Sequence, residues 1–297
     1  MSGVDLTSEQ YARHREAGTI LSRVREETVE RIEVGASHLE LAEFAEARIR
    51  ELGGNPAFPM NISIDHEAAH GTPAPGDERT FGEELVNIDI GVHVDGWLAD
   101  SAVTVDLRGT HDDLVAASEA ALEAAIDRVE PDIETGVLGG AIEDAIHDRG
   151  YRPIVNLSGH GLGHWEQHTG PNIPNRFIQD TATLDVGDVV AIEPFATDGG
   201  GRVEDGSDQQ IYSLEQEAPV RNRTARALLD EIKDRFRTLP FAVRWFEQRR
   251  AEMALRRLEM QDIVHGYPVL QEQDGTYVSQ AEHTVIVTED GCEVTTR

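Results

Sequence analysis

Residues 85–105 constrain this chain more than any other stretch. Apolar and polar side chains alternate there on both sides of Asp95-Gly96, and that dipeptide between alternating segments is the strongest short-range signal for a two-residue hairpin turn. The turn sets the register: Val94 pairs with Trp97, and Gly91 falls opposite Asp100. Side chains two apart share a face, so Asp89 and Asp100 become diagonal neighbours, roughly 7–8 Å apart at Cα. Gly91 leaves a gap between them. Two carboxylates so placed repel unless a proton or a cation lies between them. Taken alone, the hairpin is better explained by two aspartates facing solvent at a sheet edge. Against that stands the apolar character of Ile88, Ile90, Val92, Val103 and Val105, which reads as burial.

Further candidates lie downstream. Leu157-Ser158-Gly159-His160-Gly161-Leu162-Gly163-His164 and then His168 place three histidines within nine residues. Glycines beside a histidine suggest a loop whose backbone passes close to a bound group, and histidine is a frequent metal ligand. Glu193 ends the apolar run Val189-Val190-Ala191-Ile192, an expensive place for a charge without a partner. Glu282 repeats the situation before His283-Thr284-Val285-Ile286-Val287. Each acid alone could be a strand-end charge reaching solvent. Together, four carboxylates and one histidine form an oxygen-rich set suited to two divalent metals.

The order of elements is that of an α+β protein. Thr7 and Ser8 open a helical pattern that runs to about 34, and a second runs from Ser37, a cap candidate, to Leu52 before Gly53-Gly54. Further helices are predicted over 111–130 and 136–149, followed by short strands through Phe195. Residues 198–220 are Gly- and Asp-rich and read as a loop or linker; 221–238 and 243–260 read as charged helices. The body thus covers 1–197 and 271–297, with 198–270 as a helical insertion. A faint internal echo joins Leu85-Val86-Asn87-Ile88-Asp89 to Val189-Val190-Ala191-Ile192-Glu193, both following a glycine turn and ending in a carboxylate.

Composition excludes several roles. Fifty-six acidic residues against 26 basic ones give a formal net charge of −30, and Lys233 is the only lysine. That balance opposes nucleic acid and anionic membranes as partners. The acids are dispersed rather than gathered in a tail, which reads as adaptation to a high-salt cytoplasm, with an ordinary acidic enzyme as the alternative. No apolar run approaches a membrane span, and the first thirty residues lack the apolar centre of a signal peptide. The single cysteine, Cys292, cannot form an internal disulfide and fits a reducing compartment. The chain reads as cytoplasmic, with monomer the default.

The motifs Asn87-Ile88-Asp89-Ile90-Gly91-Val92-His93, Trp97-Leu98-Ala99-Asp100, Leu157-Ser158-Gly159-His160, Ile192-Glu193-Pro194-Phe195-Ala196 and Ala281-Glu282-His283-Thr284 together resemble those of the methionine aminopeptidases. The insertion before the last of them makes the chain similar to the type-2 branch, archaeal in style. Ala68-Ala69-His70-Gly71-Thr72-Pro73 and Gly266-Tyr267-Pro268-Val269-Leu270 extend the match to nearly the whole chain.

The resemblance implies a pita-bread fold, with pseudo-twofold curved antiparallel β-sheets flanked by helices around a central dinuclear site. It implies Asp89 as a chelating ligand of one metal, Asp100 and Glu282 bridging both, and His160 and Glu193 completing the second. The ions would be Co, Mn, Fe or Zn, and hydroxide bridging them would attack the scissile carbonyl. Glu193 would move a proton, His70 would lie near the scissile nitrogen and His168 near the carbonyl oxygen. Phe58 and Tyr267 would line the pocket for the methionine side chain. The implied substrates are N-termini of nascent polypeptides whose second residue is small, with possible proximity to the ribosome. His93 and His164 match no functional position. The chain departs from the pattern in its extra glycines between His160 and His168, and in Gln167 where an apolar residue is frequent. The alternatives are a proline-specific peptidase of the same superfamily and a non-catalytic binding relative that has lost its metal ligands.

Overall fold

The computed structural model describes residues 3–246 and 251–297. Its first half rests on two capped helices. Helix α1 (Glu9–Val29) starts at Ser8, whose hydroxyl accepts the Tyr11 amide, and α2 (His38–Glu51) starts at Ser37, which accepts from Glu40. Each serine satisfies one of the amides that a helix start leaves without a partner. After α2 the chain turns at Gly53, where φ is +96°, a left-handed conformation that glycine adopts without steric cost.

Ala17, Leu21 and Val24 of α1 and Leu41, Ala45 and Ile49 of α2 pack on Ile62, Val86, Ile88, Ile90 and Val92. Those residues belong to an antiparallel sheet built around strand Leu85–Val94, which pairs with Asn61–Ile64 and Trp97–Asp106. The hairpin register is the one the turn dictates: Val94 opposite Trp97 and Gly91 opposite Asp100. Asp95 and Gly96 both take positive φ, +51° and +84°, the combination a type I′ turn requires. The two strands are buried on both faces over much of their length, so the edge-hairpin explanation of Asp89 and Asp100 does not hold.

The second half repeats the plan. Helices α3 (Asp112–Ile126) and α4 (Thr135–His147) contribute Leu114, Ala121, Leu138, Ile142 and Ile146 to a core that also holds Val190, Ile192, Val285 and Val287. The sheet beneath them is five-stranded and antiparallel, in the order Gly291–Val294, His283–Thr288, Val189–Ile192, Ser158–Gly163, Glu166–Pro174. Two helices on a curled antiparallel sheet, present twice, make the mixed α+β architecture expected from the sequence. Among the described residues no helix is long and apolar enough to cross a membrane.

Residues 198–270 depart from the reading as loop plus helices. Glu204–Leu214 is a strand, paired antiparallel with Val264–Gln271 from Glu204↔Gln271 to Leu214↔Val264. Its sequence hid this, because most of the strand is polar and only Ile211, Tyr212 and Ser213 are buried. Helices α5 (Arg223–Arg235) and α6 (Ala251–Glu259) do form, and Leu228, Leu229 and Ile232 meet Ala254, Leu255 and Leu258 in an apolar cluster of their own. The helix expected over 243–260 is shorter: Val243–Trp245 is a 3-10 turn and Phe246 is extended. Arg249 and Arg250 of that segment lie outside the described residues. The Arg244 side chain, in the same segment, is buried against Glu46. Glu67–Ala69 joins this sheet through Val264–Gln271.

Candidate metal centre

The two sheets deliver five ligand-type side chains to one place. Asp89 and Asp100 come from the hairpin, His160 from strand Ser158–Gly163, Glu193 from the residue after Val189–Ile192 and Glu282 from the residue before His283–Thr288. The halves are stitched together at these positions. The Asp100 amide donates to Thr284 Oγ1 at 2.7 Å, the Thr284 hydroxyl donates to the Asp100 carbonyl at 2.8 Å, and the Glu282 amide donates to Ala102 O at 3.0 Å.

His160 Nε2 lies 3.9 Å from Asp100 Oδ2 and 3.6 Å from Glu193 Oε1. Ligand atoms of Asp100, His160 and Glu282 all fall within 4.8 Å of one another. Those separations are too long for direct hydrogen bonds and leave room for an ion. Asp89 Oδ1 and Asp100 Oδ1 are buried without any hydrogen-bond partner. Among the described residues no lysine or arginine forms an ion pair with any of the four carboxylates. Buried carboxylate oxygens without partners are costly unless something binds there, and they fit a cation.

Electrostatics agrees. Burial pushes the Asp89 carboxyl up to about 7. Burial and then the charges of Asp89 and Glu193 raise Asp100 well above the usual range; burial and then Asp89 do the same to Glu193; burial and then Asp100, Asp89 and Glu193 do the same to Glu282. Burial lowers His160 to about 4, which keeps the imidazole neutral and its nitrogen lone pair free for a metal. The donor set of carboxylates plus one imidazole fits hard or borderline divalent ions.

The other residues singled out in the sequence line the same cavity, whose volume is about 280 Å³: Phe58, His70, His168 and Tyr267 face the five ligand positions across it. His168 stands edge-on to His160, ring centroids 4.3 Å apart. The His70 ring meets Tyr267 edge-on at 5.4 Å, and its Nδ1 lies 3.1 Å from Pro268 O. Two glycine readings change. The gap at Gly91 is not open space between carboxylates; Phe58 fills it, and a Cβ there would lie 2.1 Å from the ring. His160 sits on a strand rather than in a loop. Its flanking glycines admit neighbouring strands, since a Cβ on Gly159 would lie 2.3 Å from Ala191 O and one on Gly161 2.4 Å from Gly170 O. His93 and His164 face away, held by the Gly96 amide at 3.2 Å and the Asp95 carbonyl at 2.9 Å.

One participant escaped the sequence reading. Gln280 is 1% exposed, and its amide contacts both Glu193 and Glu282. The available signal was position: Gln280 precedes Glu282 by two residues, as Asn87 precedes Asp89, and side chains two apart on a strand share a face.

The profile of metallopeptidase family M24 matches residues 12–289. The methionine aminopeptidase of Methanocaldococcus jannaschii is 48% identical over 291 residues, covering 97% of this chain and 99% of its own. Among solved structures, a thermophilic Arx1 superposes with a TM-score of 0.87 at 17% identity over 98% of this chain and 91% of that one. The methionine aminopeptidase of Thermotoga maritima does so with a TM-score of 0.74 at 22% identity over 100% of both chains. These last two likenesses speak to the fold, the pita-bread architecture. The near-full-length identity and the family profile go further: the chain belongs to metallopeptidase family M24, and within it to the methionine aminopeptidases.

Proposed function

We propose that this chain is a metal-dependent exopeptidase that removes the initiator methionine from nascent polypeptides whose second residue is small. The observation that carries the proposal is the convergence of Asp89, Asp100, His160, Glu193 and Glu282 in one buried cluster, in a chain 48% identical to a methionine aminopeptidase. These five would hold two divalent ions, drawn from Co, Mn, Fe or Zn. Such a pair supplies an activated water and a Lewis acid for the scissile carbonyl.

The remaining roles belong to the chain's own side chains. Glu193, at the edge of the cluster with its carboxyl raised by burial and by Asp89, takes up a proton and hands it to the leaving amine. His168, beside His160, donates to the oxygen that becomes negative as the carbonyl is attacked. His70, fixed through Pro268 and Tyr267, orients the peptide nitrogen. Phe58 and Tyr267 supply apolar walls for the methionine side chain. Residues 198–270 form the insertion subdomain of the type-2 branch, with the separate apolar cluster around α5 and α6 as support. Tyr267 ties that segment to the cavity. A cytoplasmic monomer working near the ribosome fits these substrates.

Hydrolysis of Met-Ala-Ser tests the proposal, with x-Pro and N-acetylated peptides as controls, after chelation and metal add-back. Metal-restored release of methionine from the free Met-Ala peptide alone is the expected result. Release from x-Pro peptides instead would assign a proline-specific peptidase, and no release under any metal from folded protein would end the enzyme reading. Melting curves across salt address the acidic surface, because the Debye length falls from about 10 Å at 0.1 M to about 3 Å at 1 M. A melting temperature that rises over that span supports adaptation to high salt, and a flat curve removes it.

A further inference from the structure

Among the described residues, one neutral donor reaches two carboxylates of this cluster at once. Gln280 Nε2 lies 3.2 Å from Glu193 Oε2 and 3.4 Å from Glu282 Oε2. Glu193 and Glu282 come from different strands, 89 positions apart in the chain, so this amide is a bridge between them.

The orientation of the bridge is dictated by a chain of hydrogen bonds that starts outside the site. Asn87 Nδ2 lies 3.4 Å from the backbone carbonyl of Ala68, which can only accept. That fixes the nitrogen of Asn87 on the side facing Gln280, where it lies 2.6 Å from Oε1. The oxygen of the Gln280 amide is thereby committed to Asn87, and its two N–H groups must face the two glutamates. The backbone of Gln280 is held as firmly: its amide donates to Thr104 Oγ1 at 2.9 Å, and the Thr104 hydroxyl donates to its carbonyl at 2.8 Å. Asn87 precedes Asp89 on the central strand of one sheet, and Gln280 precedes Glu282 in the other half. The bridge therefore spans the junction at which the ligands of both halves must meet.

We infer that Gln280, oriented by Asn87, is a positioning residue that holds Glu193 and Glu282 in ligand geometry before any ion arrives. The inference deepens the metallopeptidase reading and rests on it. A donor is the required chemistry, because an acceptor in the same place would add to the repulsion among four acids. Orienting partners behind a metal site are worth 10–100-fold in affinity or activity in typical cases.

The experiment is calorimetric titration of Mn²⁺ into chelated protein, for the parent chain and for Gln280→Met, which keeps the volume and removes both donors. Circular dichroism and thermal melting of the chelated forms establish that each is folded. The expected result is a 10–100-fold weaker Mn²⁺ affinity in Gln280→Met, with part of the turnover recovered at saturating Mn²⁺. Asn87→Asp gives a second reading that leaves Gln280 in place. It presents an acceptor to the Gln280 oxygen and drives the amide to turn that oxygen toward the glutamates, so the same loss is expected. Mn²⁺ affinity within twofold of the parent in either folded variant overturns the inference. A parent chain that binds no Mn²⁺, Co²⁺, Fe²⁺ or Zn²⁺ overturns the metallopeptidase reading and this inference with it.

Discussion

Two of the groups of buried acid in this molecule are resolved in opposite ways. Glu46 on α2 is 3% exposed, and it is answered completely from within the protein. Arg244 pairs with its Oε1, Trp245 Nε1 donates to its Oε2 at 2.6 Å, and the Met60 amide donates at 3.3 Å. Arg244 reaches Thr72 Oγ1 as well, at 2.7 Å. Asp89, Asp100, Glu193 and Glu282 are also buried or half-buried, yet they meet neutral partners such as Gln280 and His160, and among the described residues none forms an ion pair with a lysine or arginine. A buried charge whose counter-charge is built in fastens the fold, here α2 to the segment after α5. A buried cluster of like charge without one is held for something that binds. The cost of desolvating a carboxylate is of the same kind in both places, so what differs is where the compensation comes from.

The sharpest way to break this contrast is to remove one acid from each group. Asp100→Asn should cut turnover by roughly 10³ or more, beyond the 10²–10³ typical of losing a single oxyanion donor. It should leave the chelated protein as stable as the parent or more so, because it relieves repulsion among the acids. Peptide hydrolysis and melting of the chelated forms read both effects, and a strongly destabilised Asp100→Asn would mean the cluster is structural. Glu46→Gln should do the reverse. It strands the Arg244 cation and should cost about 3–5 kcal/mol of stability, with Mn²⁺ affinity of the folded protein unchanged; denaturant unfolding and titration check the two halves.

A smaller effect separates ligands from their neighbours across the cavity. His168→Ala should lose 10²–10³ in turnover while binding metal like the parent, and an unchanged rate would remove His168 from the mechanism. The smallest expected effect concerns protons. In the metal-free protein burial pushes Asp89 up to about 7, above the value near 4 of an unfolded aspartate. The folded state therefore holds the extra proton between those values, and this group makes the chelated protein lose stability as pH rises through that window. Burial lowers His160 to about 4, so its contribution has the opposite sign and is lost as pH falls from about 6.5 through 4. Ions must displace the carboxylate protons. The rise in melting temperature on adding Mn²⁺ should accordingly be larger at pH 8 than at pH 5, and an equal rise at both would show that these carboxylates are already ionised.

The legibility of the chain followed the range of the interactions involved. The hairpin at Asp95-Gly96 was readable because turn chemistry and a period of two are local, and its register alone made Asp89 and Asp100 neighbours on one face. The serine caps at Ser8 and Ser37 were readable for the same reason. Glu193 and Glu282 were visible as acids at the ends of apolar strands, and the motif resemblance placed them with His160. The strand Glu204–Leu214 was not readable, since its pairing partner Val264–Gln271 lies fifty residues away and most of its side chains are polar. Gly91 was visible as a missing side chain, but that Phe58 occupies the space depends on a turn thirty residues earlier.

The sequence by itself determined which residue types were available, which helices and turns would form, and the family to which the motifs belong. Those are matters of local propensity, periodicity and residue order. Tertiary structure alone decided which acids would be left without a counter-charge. Arg244 and Glu46 are 198 positions apart, and Asp100 and Glu282 are 182 apart. Nothing in the spacing distinguishes the pair that closes on itself from the pair that stays open. The difference is made only when packing brings a guanidinium into an ion pair with one carboxylate and, at the other place, brings four acids together with no such pair among the described residues.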